Sequence, residues 1–407
     1  MLYSMGEKGL FIIGNGLDLE AKLPSKFIDF YKYRCELMEL GYDEVTYNLK
    51  EEQKILITTK FYYGTNQIDD FISIESLPNT EKLNEHITFW DFILLFSLKK
   101  SGDLRWCSIE SQIEDVLESL SADLHYTVVK FFDVLRHGKM RSRYTNPFTY
   151  SIEDVSKEYE HGPNAKRLTA GLYLSYMLFL RKEEPQYNNV SVGTFLMLEL
   201  KRYEDDFKEY INSKKTLEYL NKRNEIVEAI LNKSPNIKKV NIMNFNFTKN
   251  DFQDDINLKD KVDKEVNIHG ISEEDVIFGI DNEKITPDSE AYDFTKTYRK
   301  LISKGNSKQG ILSKDISEII FLGHSLSDAD FSYFQSIFDY LDIYSADISL
   351  KFYYVNYKND AELVRREETK AVRALILKYG ESMDNQKKGK NILHKLLLEE
   401  RISVLEK

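Results

Sequence analysis

The run Gly14-Asn15-Gly16 has the composition of a turn that could hold a phosphate group. It follows the apolar run 10–13, which predicts a buried strand, and it precedes a stretch with helical spacing. A glycine turn between a strand and a helix lets the backbone approach a phosphate closely, and the start of the helix offers N–H groups. The full dinucleotide-binding fingerprint has a third glycine or alanine where this chain has Leu19. An ordinary tight turn therefore fits the same residues equally well.

Three later segments place polar residues at the ends of apolar runs. An amide such as Asn246 could hold a ribose hydroxyl, His269 could act as a general base, and Ser325 could offer its hydroxyl to a ligand. Each of these residues could instead satisfy the backbone groups of a turn or cap a helix. The segments are Asn244-Phe-Asn246-Phe-Thr248, then Ile268-His269-Gly270 followed by Phe278-Gly-Ile-Asp281, and finally Phe321-Leu-Gly323-His324-Ser325. After the last segment, Ser327 or Asp328 could cap the helix from Phe331 onward, and capping is also the simplest role for Asp330.

The spacing of the apolar residues predicts how these segments are brought together. After Pro235, short apolar runs that are typical of strands alternate with helical stretches. We therefore expect an α/β fold with a mostly parallel, doubly wound, Rossmann-like sheet, in which the strand ends lie along one edge. The predicted strands are 239–245, 265–269, 275–280, 318–322 and 349–355, and the predicted helices in this part are 328–341, 361–379 and 390–405.

The same spacing predicts two domains. Residues 1–40 and 236–407 are expected to form a Rossmann-like nucleotide-binding domain, and residues 41–235 a helical insertion. Within the insertion, Glu110 and Glu114 share a helix face and could line a ligand site or face solvent. Long helices around 193–233 would suit a homo-oligomer. Helical spacing recurs over 84–98, 108–135, 165–182 and 192–233, whereas 64–80 and 137–163 have the composition of loops.

Composition and charge narrow the classes of partner. The 407 residues include 56 basic and 67 acidic side chains, which gives a net charge of −11. This balance disfavours a broad nucleic-acid-binding surface, because neutralising phosphates needs a basic patch.

The two cysteines, Cys35 and Cys107, are too few for a four-thiolate zinc site, so we expect no zinc and a reducing, cytoplasmic location. The longest apolar helix, at 172–180, is too short to span a membrane.

The order of the motifs resembles the AbiH family of bacterial abortive-infection proteins. Seven motifs recur in order over residues 10–340, and that order is more specific than any single motif. They are Ile-Gly-Asn-Gly-x-Asp at Ile13, Leu-Pro-Ser at Leu23, Trp-x-x-Ile-Glu at Trp106, Asn-Phe-Asn-Phe-Thr at Asn244, Ile-His-Gly at Ile268, Phe-Gly-Ile-Asp at Phe278 and Gly-His-Ser-Leu at Gly323. The resemblance implies a role in antiphage defence.

The pattern is also more distantly similar to sirtuin-like NAD-binding domains. That similarity implies catalytic roles for His269, as the base that activates a ribose hydroxyl or water, and for Asn246 at the nicotinamide ribose. Asp18 stands where the sirtuin pattern has serine, and it could position water or a divalent ion. Contacts to NAD or another adenine nucleotide are implied for Gly14, Asn15, Gly16, Asn244, Thr248, Asp281, Gly323, His324 and Ser325.

The departures from the sirtuin pattern limit the activity that it implies. Thr248 replaces an aspartate, and the zinc ribbon is missing, so deacylation is disfavoured. We therefore expect an antiphage protein that cleaves NAD or a related nucleotide and responds to a phage-derived trigger. One alternative is a nucleotide-sensing or scaffold module without turnover. The other is a metal-dependent nuclease that uses Asp18.

Overall fold

The described part of the chain forms two compact units. The computed structural model describes residues 7–42, 56–59, 72–75, 80–97, 106–119, 148–151, 170–171, 173–174, 177–178, 180–181, 183–188, 190–249, 251–271, 274–281, 285–286, 288–302, 310–326, 330–355 and 360–407. Unit 1 comprises Met1–Lys26, Lys208–Ile277 and Arg299–Lys407, and unit 2 comprises Phe27–Phe207 and Phe278–Tyr298. These boundaries differ from the predicted ones at 40 and 235.

Unit 1 is built on a parallel sheet of six strands. The strands are β1 (Lys8–Ile13), β5 (Lys239–Asn244), β6 (Val262–Asn267), β7 (Ile316–Leu322), β8 (Ser349–Tyr354) and β9 (Ile402–Glu406). Their order is β6-β5-β1-β7-β8-β9, and every neighbouring pair is parallel. Counted along the chain this is the order 3-2-1-4-5-6, that of the Rossmann fold. The predicted fold class is therefore confirmed.

Helices accompany the strands of unit 1. They are α1 (Gly16–Glu20), α7 (Leu217–Leu231), α9 (Phe331–Leu341), α10 (Ala361–Ser382) and α11 (Gln386–Leu398), while α6 (Val192–Lys214) and α8 (Lys296–Ile302) each contribute one end. One apolar cluster joins alternate strand residues such as Leu10, Ile12 and Phe321 to Phe334 and Ile376 of α9 and α10. The intervening residues Phe11 and Ile13 are equally buried, because both faces of the sheet are covered.

Unit 2 contains a second, smaller sheet in addition to its helices. Its helices are α2 (Phe27–Leu37), α3 (Thr80–His86), α4 (Phe89–Ser97) and α5 (Trp106–Ser119). The antiparallel order β3-β2-β4 joins β2 (Leu56–Thr59), β3 (Ile72–Glu75) and β4 (Phe148–Ser151). The segment predicted as a helical insertion therefore also contains three short strands, and the assignment of β3 and β4 to loops was wrong. Strands of four residues are too short to show a clear two-residue period.

Buried ion pairs organise the described core of unit 2. Arg34 donates two hydrogen bonds to Asp91, one at 2.8 Å and one at 2.6 Å, and also pairs with Asp206. Arg181 pairs with the fully buried Glu199 at 3.0 Å, and Tyr187 donates to the same carboxylate. Each of these buried carboxylates is compensated, as burial of a charge requires.

Three element boundaries differ from their predictions in informative ways. Residues 275–280 form only isolated bridges, Gly270 to Val276 and Ile280 to Thr295, and not a strand. The predicted helix 390–405 ends at Leu398, and β9 follows a turn in which Glu400 has φ 54°. The predicted helix 192–233 breaks at Thr216, whose side chain caps α7 by accepting from the Tyr219 N–H at 3.1 Å. Much of the predicted helix 165–182 lies outside the described residues.

No helix among the described residues is both long enough and apolar enough to cross a bilayer.

Candidate functional site

Four strand ends meet in the middle of the unit 1 sheet. Ile13 at the end of β1 pairs in register with Asn244 of β5 on one side and with Leu322 of β7 on the other. Asn244 in turn pairs with Asn267 at the end of β6. β5 and β6 lie on one side of β1, and the later strands β7, β8 and β9 lie on its other side. The point between β1 and β7 is therefore the topological switch point, where Rossmann-like sheets bind ligands. The loops that follow these strands carry most of the predicted site residues.

The loops after β1 and β7 pack directly against each other. The N–H of Gly16 donates to the Gly323 carbonyl at 2.8 Å, and the N–H of Gly14 donates to Leu322 at 3.0 Å. A Cβ on Gly14 would lie 2.4 Å from the Cα of His324, and one on Gly16 would lie 2.6 Å from the Cα of Gly323. Gly323 also has a φ of +61°. These glycines are therefore required for the contact between the two loops.

The Asn15 side chain is also engaged within unit 1. It donates to the Ser25 carbonyl at 3.1 Å and accepts from the Ser25 hydroxyl at 2.6 Å. The Leu-Pro-Ser motif is thus held against the glycine turn, and α2 begins two residues later at Phe27. The Leu17 N–H donates to the Gly14 carbonyl at 3.1 Å. Together with the N–H groups of Gly14 and Gly16, three N–H groups of the predicted phosphate cradle therefore already have protein partners. The predicted phosphate contacts at this turn stay a prediction.

Asp18 lies at the centre of a buried hydrogen-bonded cluster. Its carboxylate accepts from the Tyr219 hydroxyl at 2.7 Å and from the Thr248 hydroxyl at 2.9 Å. Burial raises the pKa of Asp18 above its usual value, while these hydrogen bonds and the charge of Arg223 oppose that rise. Burial likewise raises the pKa of Tyr219, and the neighbouring Asp18 adds to that effect.

Arg223 extends this cluster from α7 to the loop after β5. Its guanidinium donates to the Lys249 carbonyl at 2.8 Å, pairs with Asp251, and lies 4.5 Å from the centre of the Phe252 ring. A buried arginine thus joins the helix to the loop through charge, hydrogen bonds and a cation–π contact.

The loop after β5 is held by three asparagines. Asn244 accepts from the Asn246 N–H at 2.9 Å and donates to the Thr248 carbonyl at 3.0 Å. Asn267 donates to the carbonyls of Asn246 and Thr248, at 3.2 Å and 2.8 Å. The Asn246 amide donates to the Gly14 carbonyl at 3.1 Å. Asn244 therefore shapes the loop, and Asn246 is fixed beside the glycine turn.

His269 and His324 converge on one carboxylate. The Nε2 atom of His269 lies 3.1 Å from Oδ1 of Asp330, and the Nε2 atom of His324 lies 3.6 Å from Oδ2 of the same residue. All three residues are less than one-tenth exposed. The Leu326 N–H donates to Nδ1 of His324 at 3.0 Å. Phe245 lies between the two imidazoles, with ring centres 5.5 Å from His269 and 4.7 Å from His324.

Local backbone geometry sets the position of His269. The His269 carbonyl accepts from the Ile277 N–H at 2.9 Å, and Gly270, with φ +80°, bridges to Val276. A Cβ on Gly270 would lie 1.7 Å from the Asp275 carbonyl oxygen. The glycine of the Ile-His-Gly motif thus permits a tight hairpin that starts at the histidine.

Two buried polar atoms at this site have no hydrogen-bond partner among the described residues. They are Oδ1 of Asn246 and Nδ1 of His269. A carboxylate can only accept a hydrogen bond, so the proton of a neutral His269 lies on Nε2 toward Asp330, and Nδ1 carries a lone pair. With His269 in this neutral form, both unpartnered atoms are acceptors. Buried acceptors normally have partners, and a ligand that offers hydroxyl or N–H donors would supply them.

The remaining predicted residues are divided between the two units. Asp281 belongs to unit 2, where the Phe278 N–H donates to Glu204 at 2.7 Å. In the same unit, Glu110 pairs with Lys296 at 2.6 Å, whereas Glu114 is exposed. In unit 1, Ser325 is exposed in the loop after β7. The predicted caps Ser327 and Asp328 lie outside the described residues, and α9 begins at Phe331.

Three residues of the site were missed by the sequence analysis. Tyr219 and Arg223 lay in the segment assigned to the insertion, and Asp330 was interpreted as a helix cap. Asp330 directly precedes α9 but makes no side-chain cap bond, since its carboxylate faces the histidines. The only signal in the sequence was its distance of six residues from His324, which does not identify His269 as a partner.

Within the described ranges, no group of three or more His, Cys, Asp or Glu side chains could hold a metal ion.

The fold and the site define the class. The chain is a Rossmann-like α/β protein with a buried His–Asp pair at the switch point of its parallel sheet. The family model described as bacteriophage abortive infection AbiH matches residues 10–354. The chain therefore belongs to the AbiH family, which confirms the family resemblance and implies a function in abortive infection. No curated protein and no solved structure matches the chain.

Proposed function

We propose that the protein acts in abortive infection as a hydrolase that cleaves the N-glycosidic bond of NAD or a related adenine nucleotide at the switch-point site. The observation that carries the proposal is the geometry of His269. Its Nε2 atom is oriented by Asp330 at 3.1 Å, while its buried Nδ1 atom is without a partner among the described residues. An imidazole oriented by a carboxylate through one nitrogen is the usual form of a general base.

The reaction would use water and no external oxidant or reductant. The bond between the ribose C1 atom and the nicotinamide nitrogen breaks, and its electron pair leaves with nicotinamide. Water forms the new C1–O bond and gives one proton to Nδ1 of His269, which later releases that proton to solvent. The products are nicotinamide, ADP-ribose and one proton. The Asn246 amide oxygen would lie beside the positive charge that develops on the ribose.

The structural features that support this proposal would contact the ribose of the nucleotide and not its phosphates. The two unpartnered acceptors on Asn246 and His269 suit hydroxyl groups of a sugar. The glycine turn offers less to a pyrophosphate, because the N–H groups of Gly14, Gly16 and Leu17 already bond to carbonyls of the protein. We therefore assign no residue to the phosphates.

The experiment measures NAD in infected bacteria. Cells that carry the wild-type chain are infected with a phage whose yield the chain reduces, and NAD is quantified by mass spectrometry. We expect NAD to fall after infection in wild-type cells and to persist in cells with His269→Ala. His394→Ala, an exposed residue of α11, is the matched control and should behave as wild type. Protection with unchanged NAD would refute NAD cleavage.

The two alternatives predict different results. A sensing module would show a thermal shift with NAD but would form no nicotinamide. A metal-dependent nuclease would degrade nucleic acid, and the degradation would stop with chelator and with Asp18→Asn. The described residues supply no set of metal ligands to favour the nuclease.

A further inference from the structure

The imidazole of His324 is held in one protonation form by the backbone that follows it. The Leu326 N–H donates to Nδ1 of His324 at 3.0 Å. A ring nitrogen that accepts a hydrogen bond carries a lone pair, so His324 is neutral and its proton lies on Nε2. Leu326 has a φ of 53°, a left-handed conformation that a leucine adopts only where the surrounding structure enforces it. The Nε2–H group of His324 is therefore a fixed donor.

This donor faces the same carboxylate as His269. Nε2 of His324 lies 3.6 Å from Oδ2 of Asp330, while Nε2 of His269 lies 3.1 Å from Oδ1. The longer separation exceeds that of a direct hydrogen bond, so the contact of His324 is an electrostatic attraction between its N–H dipole and the carboxylate. Because all three side chains are buried, solvent screens this attraction little. The two oxygens of Asp330 thus face two different imidazoles.

The surroundings of His324 keep its ring in place and away from solvent. Phe245 and Phe334 lie edge to face with the imidazole, with ring centres 4.7 Å and 5.0 Å away. A Cβ on Gly14 would lie 2.4 Å from the His324 Cα, so the turn after β1 packs directly against the His324 backbone. His324 is 5% exposed. A ligand therefore has little access to this imidazole, in contrast to the nucleotide contact that the sirtuin similarity implies for it.

We propose that His324 is a positioning residue for His269 and that it acts through Asp330. The Nε2–H group of His324 attracts Oδ2 and fixes the plane of the carboxylate, so that Oδ1 stays directed at Nε2 of His269. The Gly14-Asn15-Gly16 turn supports this arrangement by packing against the His324 backbone, which gives the turn a role that needs no phosphate. The role of His269 as a base rests on the proposed function, whereas the support that His324 gives to Asp330 does not.

Two substitutions separate the contact with Asp330 from the contact with Leu326. His324→Asn retains an acceptor for the Leu326 N–H, because an asparagine side chain commonly bonds to the backbone two residues on. Its amide is too short to reach the position of Nε2. His324→Gln is one bond longer and brings an NH2 donor toward Asp330. A positioning role predicts that the Gln variant keeps the function and the Asn variant loses it, whereas a role only in holding the turn at Leu326 predicts the reverse.

Nitrogen NMR of isotopically labelled histidine tests the positioning without any ligand. Spectra are recorded at about pH 8, where imidazoles are normally neutral, and His269→Ala identifies the His269 signals. The wild type and His324→Gln should hold the His269 proton on Nε2 alone, whereas His324→Asn should give a mixture of both tautomers. His394→Asn, at an exposed position of α11, is the matched control and should resemble the wild type. An unchanged His269 tautomer in His324→Asn, or the same mixture in both His324 variants, would overturn the proposal.

The kinetics of NAD hydrolysis give a second test, which does depend on the proposed function. His324→Asn should lower kcat about 10²-fold and leave KM unchanged, because His324 makes no contact with the substrate. His324→Gln should retain most of the wild-type kcat. A raised KM with unchanged kcat in His324→Asn would overturn the positioning role. A tautomer change in His324→Asn, with no hydrolysis by the wild type, would support the positioning role and refute NAD cleavage.

Discussion

The Nε2 atom of His269 lies 3.1 Å from Oδ1 of Asp330, although 61 positions separate the two residues in the chain (330 minus 269). His269 follows β6 and Asp330 directly precedes α9, so only the parallel sheet brings them together. Both side chains are buried. This pair distinguishes the site from a set of polar strand ends, because it fixes one imidazole nitrogen and leaves the other for the proposed role as a base.

Asp330→Asn should reduce NAD hydrolysis about 10²–10⁴-fold. An amide can donate to Nε2 and thereby shift the imidazole proton to Nδ1, where it blocks the base. The measurement is the initial rate of nicotinamide release. Asp342→Asn is the matched control, because Asp342 is exposed at the C-terminal end of α9 and its left-handed φ of 50° suits asparagine. Equal rates for Asp330→Asn and wild type would contradict the assigned base.

Gly16→Ala should disrupt the contact between the loops after β1 and β7. The added Cβ would lie 2.6 Å from the Cα of Gly323, so backbone must move, and we expect a loss of about 3 kcal/mol or more in the free energy of unfolding. Gly310→Ala is the control, because no atom of the described residues lies within 4 Å of its Cβ position. Thermal unfolding compares the two variants. A similar Tm for both would show that the glycine contact is dispensable.

Glu265→Gln should flatten the dependence of stability on pH. Burial raises the pKa of Glu265 from its usual value of 4.5 to about 7, so the folded protein holds this proton more tightly than the unfolded chain. The stabilising contribution is complete below about pH 4.5 and is lost as the pH rises through about 7. Urea unfolding across this window should show the slope in wild type and a smaller slope in Glu265→Gln. Glu209→Gln, an exposed control, should retain the slope.

Arg34→Met should destabilise unit 2 by about 3–5 kcal/mol, because it leaves Asp91 buried without its charged partner. Tryptophan fluorescence reports on this unit alone, since both tryptophans, Trp90 and Trp106, belong to it. Arg202→Met is the control. Its side chain is 37% exposed and pairs with Glu184, and such surface pairs contribute about 0–1 kcal/mol. Comparable denaturation midpoints for the two variants would contradict the buried role of Arg34.

The strand ends of unit 1 could be predicted because their signals are local. An apolar run followed by glycine or asparagine identified the ends of β1, β5, β6 and β7, and the rule that parallel strands end at one edge grouped them. The short strands of unit 2 and β9 could not be found in this way. In β9, apolar spacing continues from α11, and only the left-handed turn at Glu400 separates the helix from the strand.

The partners inside the site could not be predicted, because they depend on packing between distant elements. Tyr219 donates a hydrogen bond to Asp18 although 201 positions separate the two residues in the chain. The glycine turn that was predicted to hold a phosphate bonds instead to the loop after β7. A sequence with Gly-Asn-Gly and a nearby aspartate allows both a phosphate cradle and a closed loop contact. The choice between them depends on where β7 lies relative to β1.

NAD hydrolysis by the protein, with His269 as the base, is tested most directly by incubating NAD with the purified protein. NAD is incubated with the wild type, His269→Ala and His394→Ala, and the products are separated by chromatography and identified by mass spectrometry. If the protein hydrolyses NAD, the wild type and His394→Ala each form nicotinamide and ADP-ribose in equal amounts, and His269→Ala forms neither product. The contrary result is that calorimetry shows NAD bound to the wild type while NAD stays intact during the incubation. That result would refute NAD hydrolysis and identify a binding module without turnover.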